Sequence, residues 1–113
     1  MRKMELLKGS TEMLLLSLLQ VKDRYGYEMI EELKQLSEWY LQFKEGMLYP
    51  ALKKLEDKEW VKSYWRDSME GPKRKDYYVT KAGVSQLSLQ KEEWEQFQLV
   101  VASVLSPGIR KEP

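Results

Sequence analysis

The sequence predicts a mainly α-helical domain with one small β-hairpin, an α+β winged helix-turn-helix, extended by a single long C-terminal helix. Three stretches predict it. Between Glu45 and Glu59, Leu48, Ala51, Leu52 and Leu55 fall on one helical face, opposite Pro50, Lys53, Lys54 and Asp57. Two alternating segments follow directly, Val61–Asp67 and Lys73–Thr80, joined through Gly71-Pro72 as in a hairpin. From Thr80 onward a heptad emerges, with Leu87, Trp94 and Val101 at one seam position and Gln90, Phe97 and Val104 at the other.

Taken in order, Gly9-Ser10-Thr11 precedes a run from Glu12 to Leu19 that is apolar nearly all round, which predicts a capped and deeply buried central helix. Residues 21–26 read as a turn, with Gly26 releasing the chain into a helix over Tyr27–Ser37. Tyr25 stands at the start of that helix. It either wedges the helix start or offers its hydroxyl to a phosphate beside the helix N-terminus. Trp39, Leu41 and Phe43 alternate with polar residues and suggest a short extended bridge. The helix after it begins near Gly46, so that Pro50 falls in its first turn, where a missing N–H is harmless. Tyr49, Pro50, Lys53 and Lys54 are its candidates for contact with DNA. In the hairpin that follows, Lys73, Arg74 and Lys75 form a basic tip able to lie along a phosphate backbone. Thr80 is the expected N-cap of the last helix, which Ser106-Pro107-Gly108 stops, leaving 107–113 as a tail. The chain thus divides into a DNA-binding unit over 1–80, a helix over 81–106 and that tail.

Composition narrows the chemistry. The 113 residues include no cysteine and no histidine, which removes disulfides, thiolate nucleophiles, most zinc sites and the commonest general base. No glycine-rich phosphate loop or paired-carboxylate spacing remains to support an enzyme, and no cofactor or metal is expected. The net charge is only +1, yet it is unevenly spread. Residues 72–81 carry four cations and one carboxylate, whereas 28–38 carry four glutamates and one lysine. One basic face meeting phosphates fits that distribution better than bulk attraction. The first residues give no secretory leader and no stretch is long enough to span a membrane, so a cytoplasmic protein is expected.

The ordered series Glu45-Gly46-Met47-Leu48-Tyr49-Pro50-Ala51-Leu52-Lys53-Lys54-Leu55-Glu56, then Val61 with Tyr64-Trp65, then Gly71-Pro72-Lys73-Arg74-Lys75 running into Tyr77-Tyr78-Val79-Thr80 and Gly83, resembles the PadR-like family of bacterial winged-helix transcriptional regulators. The resemblance covers about Gly9 to Trp94. It implies a homodimeric repressor of the short type, holding double-stranded operator DNA through recognition helix and wing. It also implies release by a small planar aromatic or phenolic effector between the C-terminal helices, as some members show. Leu87, Trp94, Phe97, Val101 and Val104 are then the dimerisation seam, and Trp94 and Phe97 either sandwich such a ligand or simply fill the interface. Three positions depart from the family pattern. Met47 replaces a common threonine, Glu59 a common closing glycine, and Asp76 intrudes between the basic triplet and the tyrosine pair, where it should weaken phosphate attraction if it faces DNA. The competing reading is a winged-helix protein-interaction module that never touches DNA.

Overall fold

The computed structural model describes residues 7–106, as helices α1 (Thr11–Val21), α2 (Gly26–Leu36), α3 (Glu45–Asp57) and α4 (Lys81–Leu105), and strands β1 (Arg24–Tyr25), β2 (Val61–Arg66) and β3 (Arg74–Val79). The winged helix-turn-helix of the sequence reading is the observed fold. The tail assigned to 107–113 lies outside the described residues.

The core is built by α1, α2 and α3 laid against one face of the sheet. Leu15, Leu16, Leu18 and Leu19 of α1, Met29, Ile30 and Leu33 of α2, and Leu48, Leu52 and Leu55 of α3 are all buried, joined by Val61 and Tyr77 from the strands. Helix α1 is therefore the central post its composition predicted. Its start is not capped in the expected way, because Ser10 and Thr11 donate their hydroxyls back to the Leu7 carbonyl.

The sheet has the order β1-β3-β2, all antiparallel. The sequence read residues 21–26 as a turn only. In the fold, Arg24 and Tyr25 pair with Tyr77 and Asp76 and add a third strand to the hairpin. Arg24 is buried at this junction, where Nε donates to the Leu18 carbonyl at 3.2 Å and Nη1 lies 3.6 Å from Glu32. A guanidinium group here ties α1, β1 and α2 together, which explains why a charged residue is tolerated inside.

Three further expectations are corrected. The bridge after α2 is irregular, since Glu38 and Trp39 both adopt positive φ (51° and 70°), which no strand permits. Phe43 is buried there while Trp39 is exposed, so the alternation marked one anchor and not a strand. Helix α3 starts at Glu45, one residue earlier than predicted, so Pro50 is its sixth residue and falls in the second turn instead of the first. Proline there lacks the N–H that would otherwise bond the Gly46 carbonyl one turn back. Finally, Leu87 is 1% exposed and belongs to the protomer's own core, so it is not free to face a second copy.

Helix α3 ends with Glu59 in the left-handed region (φ 62°), while Trp60 N–H reaches the Leu55 carbonyl and Glu59 N–H the Glu56 carbonyl. Glycine suits that conformation best, so Glu59 is a strained occupant of the position. The next joint is close-packed. Thr80 caps α4 by accepting from Gly83 N–H at 3.1 Å, and donates its own hydroxyl to the Glu59 carbonyl at 2.8 Å. A Cβ on Gly83 would run into the Trp60 carbonyl oxygen and lie 2.6 Å from Val79 Cγ2. Beyond Leu87, α4 leaves the domain. The radius of gyration, 17.2 Å, reflects this projection, since a compact chain of this length has about 13 Å.

Candidate nucleic-acid interface

The residues singled out for DNA contact do not form one cluster. Tyr25, Tyr49, Arg74 and Lys75 come together, with Tyr27, Trp65 and Tyr77, around an open groove of about 570 Å³. Three elements meet there. β1 delivers Tyr25, the N-terminal half of α3 delivers Tyr49, and the wing delivers Arg74 and Lys75. The Arg74 guanidinium carbon stands 4.3 Å from the centre of the Tyr25 ring, and Tyr25 stacks on Tyr27 with centroids 6.5 Å apart. Lys75 Nζ lies 5.9 Å from the Trp65 ring and 5.6 Å from the Tyr77 ring. Aromatic faces hold both cations without neutralising them, so their charge stays available to an anion.

Helix α2 begins at this groove. Glu28 closes its first turn by accepting from the Tyr25 backbone N–H at 3.0 Å. Gly26 makes room for the Tyr49 ring, since a Cβ at that position would collide with the Tyr49 hydroxyl, sit 2.7 Å from its Cζ and push the ring outward. Tyr49 is thus pressed against the start of α2. Burial first, then Glu45, raises its phenol above the ordinary value, so it is a neutral hydroxyl at physiological pH. The Tyr25 ring packs against Arg74.

Lys53 lies on the exposed face of α3, 3.4 Å from Asp57. Pro50 and Lys54 turn the other way and border a second, larger groove of about 1200 Å³ between α1, α3 and the outer part of α4. Trp94 and Phe97 line it too, their rings 6.3 Å apart and tilted. Met47 is on this side as well and packs partly against the core. The outer part of α4 exposes Phe97 (60%), Val104 (79%), Leu99, Val100 and Leu105 in succession.

At the wing tip the charge is more balanced than the basic triplet suggested. Lys73 Nζ lies 3.9 Å from Asp67, and both are exposed. Asp76, which would weaken phosphate attraction if it faced DNA, is buried, with Oδ2 3.3 Å from Arg66 Nε. Arg66 is the residue the sequence reading missed. Only the strand register, which places it directly across from Arg74, gives it meaning. Among the described residues no cluster of carboxylates, cysteines or histidines could hold a metal, and no helix is long and apolar enough to cross a membrane.

A family model described as "Transcriptional regulator PadR-like family" matches residues 15–89. A protein of Lysinibacillus sphaericus is 34% identical over 89% of this chain and 93% of its own length. Among solved structures, a transcriptional regulator from Clostridium thermocellum superimposes with a TM-score of 0.84 at 28% identity, covering 90% of this chain and 99% of that one. A PadR family transcription regulator from Clostridium difficile gives 0.73 at 37% identity, over 86% and 99%. A PadR-like transcriptional regulator from Bacillus cereus gives 0.77 at 29% identity, over 90% and 97%.

Proposed function

Because the chain belongs to the transcriptional regulator PadR-like family, we propose that this DNA-binding regulator works as a homodimeric repressor of the cytoplasm, with residues 1–80 holding operator DNA and 81–106 joining two copies. The observation that carries the reading is the groove where β1, α3 and the wing meet, with Arg74 seated over Tyr25 beside Tyr49 and Lys75. A surface of half-exposed cations backed by rings suits a phosphate backbone, and Lys53 on the neighbouring helix face suits a base edge or a further phosphate. The exposed apolar side of α4 supports pairing of two copies, since patches of that kind mark association surfaces. Trp94, Phe97, Val101 and Val104 are the residues we place at that contact.

A small planar aromatic or phenolic effector fits the larger groove, where Trp94 and Phe97 offer ring faces beside Met47. Binding there would act on the outer part of α4 and so on the spacing of the two recognition helices.

The test is retardation of the DNA upstream of the protein's own gene in a gel shift, followed by footprinting. A specific complex with two protomers per site is the expected result. Failure on that fragment, and on fragments selected from the surrounding genome, would favour a protein-interaction module. For the effector, tryptophan fluorescence should be quenched by an aromatic ligand in the wild type and not in a folded Trp94→Ala variant.

A further inference from the structure

The last rung of the wing ladder pairs Arg66 of β2 with Arg74 of β3. Residues directly opposite in an antiparallel pair project from the same face, so two guanidinium side chains are set against each other where like charges repel. Asp76 lies two residues along β3 on that same face and is only 2% exposed. One of its oxygens, Oδ2, forms an ion pair with Arg66, 3.3 Å from the inner nitrogen, Nε, while the Arg66 side chain stays 49% exposed. The other, Oδ1, is buried with no partner among the described residues, and so is Arg74 Nε. An acceptor and a donor left open on neighbouring same-face positions are rare inside proteins and call for a reason.

We propose that Arg66, Arg74 and Asp76 form a phosphate seat at the base of the wing tip, in which Arg66 contacts the DNA backbone and Asp76 positions both guanidinium groups. The proposal rests on the DNA-binding reading above and names a contact within it. The ligand is a phosphodiester of duplex DNA. A guanidinium held through Nε presents its outer nitrogens as a fork, the geometry that grips a phosphate with two parallel bonds. The trio carries a net charge of one positive unit, so the seat still attracts an anion despite the carboxylate beneath it. Arg74, now resting on Tyr25, closes the two open groups when it turns from the ring toward Asp76 and a phosphate draws both arginines together.

The experiment is anisotropy titration of a labelled duplex, taken from upstream of the protein's own gene, across a potassium chloride series. Arg66→Gln and Arg74→Gln should each make the slope of log affinity against log salt shallower by about one. Arg66→Lys keeps the charge but loses the fork, so binding should weaken with the slope retained. Asp76→Asn removes a negative charge, yet should weaken binding by several-fold and lose that effect once both arginines are glutamine. A carboxylate that only repels DNA gives the opposite sign, tighter binding in both backgrounds, and that result overturns the positioning role. Unchanged slopes for both glutamine variants, with the wild type still binding, overturn the seat and leave the regulator reading standing. No binding of the wild type to any duplex overturns both. Arg66 is half exposed, so Arg66→Gln should fold, as circular dichroism will verify, and its slope decides the matter even where Asp76→Asn does not fold.

Discussion

In α3 the large apolar residues of the stripe, Leu48, Leu52 and Leu55, are all inside the domain, whereas in α4 Leu87 alone among the large apolar residues is buried while Trp94, Phe97, Leu99, Val100, Val104 and Leu105 face outward. Both helices have a periodic apolar face in the sequence. Periodicity says that a face must be covered, and it is silent about which chain or ligand covers it. The difference lies in what surrounds each helix. Helix α3 is enclosed by α1, α2 and β2, while α4 outruns the domain after its second turn.

The sharpest way to break the contrast is a matched truncation. Leu52→Ala should lower unfolding free energy by about 3 kcal/mol, through lost burial and the cavity left behind. Leu99→Ala, on the outer part of α4, should stay within about 0.5 kcal/mol. Urea denaturation reads both, and equal losses would erase the distinction. Next comes the joint between the two regions. Gly83→Ala forces a methyl group into the Trp60 carbonyl and Val79, and should destabilise by about 2–3 kcal/mol. A neutral result would show that α4 can lift from its seat at little expense.

Phe97→Glu should leave the domain folded but raise the dimer dissociation constant at least tenfold, about 1.4 kcal/mol, in sedimentation equilibrium. An unchanged constant takes Phe97 out of the interface. The smallest effect at ordinary pH is the titration of Tyr77. Burial first, then Glu56 and Tyr49, pushes its phenol up to about 12 from the ordinary 10.0. The unfolded chain therefore releases that proton first. Stability is retained below pH 10 and falls as pH rises from there toward about 12. Near-ultraviolet phenolate absorbance alongside thermal melts will follow it, and a Tyr77 band appearing at ordinary tyrosine pH would contradict its burial.

The parts of the fold that were legible in the sequence are those set by neighbours along the chain. The stripe of α3, the alternation and Gly71-Pro72 turn of the wing, and the Thr80 cap all depend on residues within a few positions of one another. What was hidden depends on pairing across distance. The strand at Arg24–Tyr25 exists only because it meets Asp76 and Tyr77. Whether Asp76 faces DNA depends on the register, which puts it beside Arg66 beneath the surface. Tyr49 and Lys54, five positions apart, border different grooves, a separation that the helical wheel contained but that only the placement of β3 and α4 made meaningful.

The seat of α4 also has a mechanical meaning. Its base is clamped by the Thr80 cap, by Gly83 against the Trp60 carbonyl and by Leu87 in the core, and 25 residues of helix run outward from Lys81. At 1.5 Å per residue the free arm from Leu87 to Leu105 is about 27 Å long, so a rotation of about 10° at the clamp sweeps the tip through about 5 Å. That is about one and a half base-pair steps of about 3.4 Å on a duplex. In a two-fold assembly joined along such arms, the leverage runs both ways. On the proposed dimeric reading, a small wedge near the tip would turn into a misfit of recognition helices against DNA, and the stiffness of three residues at the fulcrum would set how small the wedge can be.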